Sequence, residues 1–104
     1  MVRTTVQKTK LERHAEICAE LYDVYRRKNA DYGDSFGETF RKLGIISAVT
    51  RITDKVNRLQ SLCVRAAQVS DESVRDTLLD LANYAVMSVI ELERSNTSET
   101  EDIK

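Results

Sequence analysis

An all-α fold is predicted for this 104-residue chain by three features. Proline is absent, and the three glycines (Gly33, Gly37, Gly44) all fall between residues 33 and 44, so the helix breakers are confined to one place. On either side, apolar residues recur at steps of three and four. No segment alternates with period two, as a half-buried strand would. Together these predict a helical bundle of three long helices plus one short helix.

Thr9-Lys10-Leu11-Glu12 is a capping-box pattern that starts the first helix, which runs to about Lys28. Leu11, Ala15, Cys18, Tyr22 and Tyr25 form its apolar seam. Residues 29–33 are turn formers. Ser35-Phe36-Gly37-Glu38 offers a second capping box for a short helix that ends near Gly44. The third helix covers roughly residues 45–67, with Ile45, Val49, Ile52, Val56, Leu59, Cys63 and Ala66 in strict four-three alternation. Val69-Ser70-Asp71-Glu72 opens the last helix with a hydroxyl cap and two acids at the positive dipole end. From residue 78 to 90 this helix is apolar nearly all round, which predicts burial on every side and self-association into a homo-oligomer. The expected organisation is one helical domain over residues 1–94, with 1–8 a flexible start and 95–104 a disordered acidic tail.

Sixteen Lys+Arg against seventeen Asp+Glu leave a formal net charge of −1, so no global field draws the chain to nucleic acid or to a membrane. Cys18 and Cys63 fall on apolar helical positions and read as buried free thiols rather than a disulfide. With neither a signal-peptide core nor a bilayer-length apolar run, the expected location is the cytoplasm. His14, the single histidine, supports no zinc or nucleophile constellation.

Three polar stripes carry the candidate chemistry. Asp76, Asp80 and Asn83 share one face of the last helix, inside or just before its apolar run. A carboxylate taken out of water needs a cation or hydrogen-bond donors, so either basic side chains or a Mg²⁺ ion should face this stripe. Arg51, Lys55 and Arg58 form a basic stripe on the third helix; they would neutralise the acids directly or cradle phosphates that share a metal with them. Glu16, Glu20 and Asp23 line the first helix, as a solvated acidic face or as further metal ligands. Between the first two helices, Tyr32 and Phe36 flank Gly33, in a plain turn or in a loop that stacks a base.

Read together, Lys28-Asn-x-Asp31-Tyr32-Gly33-Asp34-x-Phe36, then Arg51-x-x-Asp54-Lys55-x-x-Arg58-Leu59, then Asp71-Glu72-x₃-Asp76-Thr77-x₂-Asp80-Leu81-x-Asn83-Tyr84, the chain resembles the nucleotide modification associated domain 1 family of bacteriophages and bacteria. The resemblance covers roughly residues 10–93. More distantly the chain is similar to the MazG-like all-α nucleoside triphosphate pyrophosphohydrolases, helical oligomers that bind Mg²⁺ with carboxylates from two helices. The resemblance implies a cytoplasmic protein of a bacterial or phage-infected cell, in nucleotide or base-modification metabolism. It implies Mg²⁺ held by Glu16, Glu20, Asp76 and Asp80, with Asp76, Asp80 and Glu20 catalytic. Tyr32, Arg51, Lys55, Arg58, Asn83 and Tyr84 would hold a nucleoside triphosphate. Asn83 stands where the MazG-like pattern has an acid, and this keeps two rivals open. One is a non-catalytic nucleotide-binding module. The other is a structural oligomer in which Asp76 and Asp80 pair with Arg51 and Arg58.

Overall fold

Four helices carry the chain: α1 (Lys10–Tyr32), α2 (Ser35–Leu43), α3 (Ile45–Val64) and α4 (Asp71–Ile103). The structure, a computed structural model, describes residues 7–65 and 71–103, with the side chains of the last helix described from 72 to 97. The described residues contain no strand, and the all-α expectation holds. Most of the flexible start, Ala66 of the α3 seam and the hydroxyl cap of α4 lie outside the described residues.

The Thr9 capping box forms as predicted: the Glu12 N–H donates to Thr9 Oγ1, and the Thr9 N–H donates to the Glu12 carboxylate. α1 does not stop at Lys28. It keeps one more turn, because Asn29, Ala30 and Asp31 tolerate helical geometry and only Gly33, at φ 69°, ends it. The second capping box does not form: Asp34 rather than Ser35 is the N-cap of α2, and no side-chain hydrogen bond caps that helix. Gly44, at φ 79°, closes α2 and starts α3. α4 continues through residues 95–103, the acidic segment, where neither glycine nor proline interrupts it.

α3 and α4 form the central pair. Arg58 meets Thr77, and Lys55 meets Asp80 one turn earlier on α3 and one turn later on α4, so the two helices run antiparallel. Their contact line is Ala48, Ile52, Lys55, Leu59 and Leu62 against Thr77, Leu81, Tyr84, Ser88 and Glu91, all buried or half-buried. α2 lies across one side of this pair through Phe40, and α1 touches α4 only lightly.

The seams therefore sit differently from expectation. On α1 the apolar residues turned inward are Ile17, Leu21, Val24 and, of the predicted seam, Tyr25, while Leu11, Ala15, Cys18 and Tyr22 are exposed. On α3, Ile45, Val49, Val56 and Cys63 are exposed. Both cysteines are free, but neither is buried. α4 is not covered all round either: Leu78, Val86, Val89 and Leu92 face solvent. Periodicity locates an apolar stripe, but a stripe wider than its neighbour can cover is left half bare.

Candidate functional site

A cavity of about 250 Å³ opens where the end of α1, the start of α2 and the middle of α3 and α4 converge. Gly33 builds it. A helix ending in a left-handed residue turns sharply, which leaves Lys28 and Tyr32 on one wall and sends Asp34, Ser35 and Phe36 into the next. α3 contributes Ser47 and Arg51, and α4 contributes Asp80, Asn83, Tyr84 and Met87.

The wall is a linked set of contacts. The Phe36 and Tyr84 rings stack at 5.8 Å between centroids and 30° between planes. Lys55 Nζ lies 5.9 Å from the Tyr84 centroid and 3.5 Å from Asp80 Oδ2. Lys28 Nζ lies 3.4 Å from Asp80 Oδ1. Asp80, with its side chain 32% exposed, is thus held between two ammonium groups from two other helices. Asn83 Nδ2 donates to the Leu21 carbonyl at 3.1 Å, fastening α1 to α4. Tyr32 remains 75% exposed at the mouth.

The predicted basic stripe splits three ways. Arg51 lines the cavity, and Lys55 pairs with Asp80. Arg58 turns away from the cavity and donates through Nε to Thr77 Oγ1 at 3.1 Å, while the Thr77 hydroxyl donates to the Ser73 carbonyl. Pairing of Asp76 and Asp80 with Arg51 and Arg58 is replaced by Lys28 and Lys55 on Asp80 alone. The helix spacing was right, but Asp76 lies beyond the end of the groove that α1 and α2 close. Asp76 is exposed and does not line the cavity.

Glu16, Glu20 and Asp23 of α1 are each held by a nearby cation. Arg75 of α4 donates twice to Glu20, at 2.7 and 2.8 Å, a bidentate clasp between α1 and α4. Those hydrogen bonds hold the Glu20 carboxyl below the usual glutamate range and raise Arg75. Glu16 is lowered by hydrogen bonds from Lys8 and then Arg13, and Asp23 chiefly by Arg26 at 2.9 Å. Glu16, Glu20 and Asp76 consequently do not join Asp80 at the cavity. Among the described residues, no three acidic, histidine or cysteine side chains converge in a way that could hold a metal ion. His14 is exposed, with Nδ1 3.7 Å from Cys18 Sγ.

Tyr32, Arg51, Asp80, Asn83 and Tyr84, five residues marked by the sequence, meet at one cavity. Lys28, Asp34, Ser35, Thr39, Ser47 and Met87 join them without having been singled out for a role. Lys28 stood inside the quoted loop pattern, which was the available signal. Arg75 had none, because it belongs to no stripe.

No helix among the described residues is long and apolar enough to cross a membrane. No curated protein and no solved structure matches the chain significantly. A family model described as nucleotide modification associated domain 1 matches residues 28–92. That segment begins on Lys28 and contains every residue lining the cavity except Tyr25; it leaves Glu16 and Glu20 outside. With well over half of the sequence matched, the chain belongs to the nucleotide modification associated domain 1 family.

Proposed function

We propose that the protein binds a nucleotide in the cavity between α1, α2, α3 and α4. The observation that carries this reading is the convergence of Tyr32, Lys28 and Arg51 on one cavity inside the family segment. Tyr32 offers an exposed ring on which a base stacks. Lys28 and Arg51 supply positive charge for phosphate, with the planar guanidinium suited to two phosphate oxygens. The cavity stands near the lower bound of roughly 300 Å³ for small-ligand pockets, which suits a nucleoside or mononucleotide with its phosphate toward the open mouth. Calorimetric titration with nucleoside monophosphates tests the reading. Binding that Tyr32→Ala and Arg51→Ala each weaken is the expected result; absence of binding to every nucleotide overturns it.

A second reading keeps the similarity to MazG-like enzymes: a Mg²⁺-dependent pyrophosphohydrolase of nucleotide or base-modification metabolism. Its support is that two acids, Asp34 and Asp80, line the cavity beside Lys28 and Arg51. The donor set within one chain does not fit the ion, since Glu16, Glu20 and Asp76 lie elsewhere and Asp80 is engaged by two lysines. Binding therefore ranks above turnover. Pyrophosphate release from a nucleoside triphosphate panel with Mg²⁺, above an Asp80→Asn control, would reverse that order.

A further inference from the structure

The side of the α3–α4 pair away from α2 is bare and apolar. On α4, Leu78, Ala82, Ala85, Val89 and Leu92 step four-three-four-three; Leu78 is 50% exposed and Val89 53%. On α3, Ile45, Val49, Val56 and Cys63 form a second exposed stripe. Each stripe lies roughly a quarter turn from its helix's contact line, in the sense in which the chain winds. In an antiparallel pair, stripes displaced in the same sense fall on the same side, so the two make one continuous face.

Charge avoids this face. Arg51, Asp54, Lys55 and Arg58 are the charged residues of α3, and all four fall on its other half. Between positions 78 and 92 of α4 the charges are Asp80, which lines the cavity, and Glu91, which is buried beside Arg41. A patch depleted of charge and periodic along two helices has the composition of an interface core rather than of a solvated surface.

The single chain also leaves its own core short. Among the described residues, the buried apolar side chains are Phe40, Ala48 and Leu62.

We infer that a second copy of this chain covers the face, by a two-fold pairing centred near Ala85. Identical chains pair most often about a two-fold axis, and the α4 stripe suits one: leucines stand at both ends and alanines in the middle, where crossing helices approach most closely. The face is about 25 Å long and about 20 Å wide from helix dimensions, or on the order of 500 Å² per copy. Doubled, that reaches the roughly 1,000 Å² at which specific interfaces begin. The cavity lies on the opposite side of the pair, so the inference stands independently of what the cavity binds.

Sedimentation of the full chain across a concentration series, with the melting midpoint followed over the same series, tests this. A dimer whose midpoint rises with concentration is expected. Val89→Glu should raise the dimer dissociation constant by roughly a hundredfold or more, since a carboxylate would be buried unpaired. If that variant fails to fold, Ala85→Cys in a Cys18→Ser, Cys63→Ser background decides: under mild oxidation it should form a covalent dimer. A wild-type chain that stays monomeric at every concentration overturns the inference. A dimer that Ala85→Cys does not lock overturns it as well, because the interface is then elsewhere.

Discussion

Replacing Asp80 by Asn should move stability and ligand affinity in opposite directions. Asp80 is the one acid placed between Lys28 Nζ at 3.4 Å and Lys55 Nζ at 3.5 Å, and its side chain is one-third exposed. Partly solvated pairs of this kind contribute roughly 0.2–1 kcal/mol each, so losing both costs about 1 kcal/mol. For a chain of this size that lowers the melting midpoint by about 4–8 °C. The effect on an anionic ligand has the other sign. A phosphate held by Lys28 and Arg51, about 7 Å from the carboxylate, feels a repulsion of about 1 kcal/mol at an effective dielectric constant of about 40. Removing that charge also releases the Lys28 ammonium group for the phosphate. The expected result is a nucleoside monophosphate bound five- to tenfold more tightly, at about 1 kcal/mol, by a less stable protein. Calorimetry in the absence of divalent cations, beside a thermal melt, reads both quantities. If Asp80→Asn instead abolishes binding without metal, the carboxylate contacts the ligand itself and the argument from competing cations is wrong.

Four other outcomes follow from the geometry. Phe40→Ala should cost about 3–5 kcal/mol, because Phe40 is the large side chain buried where α2 meets the central pair; urea unfolding measures it, and a loss under 1 kcal/mol would mean the site collapses to fill the gap. Gly33→Ala should cost about 1–3 kcal/mol although the space around it is open, since φ 69° with ψ −154° is a region that essentially only glycine occupies; a neutral result in the same assay would show that α1 can end another way. Gly37→Ala acts by a different route: its Cβ would stand 2.5 Å from the Asp34 carboxylate oxygens, so the Asp34 side chain must move, and Asp34→Ala should suppress the defect. Stability should hold from neutral pH down to the ordinary carboxylate range and fall below it, because a lowered Glu20 contributes fully above its unfolded value and is lost as pH drops through its folded one. Glu20→Gln should flatten that acid limb in pH-dependent melts, and an unchanged limb would mean that the Arg75 clasp contributes nothing.

Much of the architecture was legible because helix signals are local. The Thr9 capping box, the breaks at Gly33 and Gly44, and the absence of period two each depend on a few neighbouring residues, and all reappear in the structure. The candidate site was legible in part for the same reason. Residues at helical spacing share a face, so Asp80 and Asn83 both reach the cavity. Which neighbour meets a face is a different question. The basic stripe of α3 is a single feature in sequence, yet Arg51, Lys55 and Arg58 have three separate environments. The stripe is longer than the groove it borders, and α2 closes only part of it.

The sequence by itself determined the helices, their stops and the residues able to share a surface, since backbone geometry converts spacing directly into direction. It could not determine that Lys28, more than fifty positions away in the chain, would clamp Asp80, or that Arg75 would take Glu20. Such pairs have no periodicity to announce them; they arise from the angle at which α1 leaves Gly33 and crosses α4. Tertiary structure also decided which apolar stripe is covered. α3 and α4 each carry more apolar surface than one neighbour can bury, and the side that α2 occupies leaves the other open.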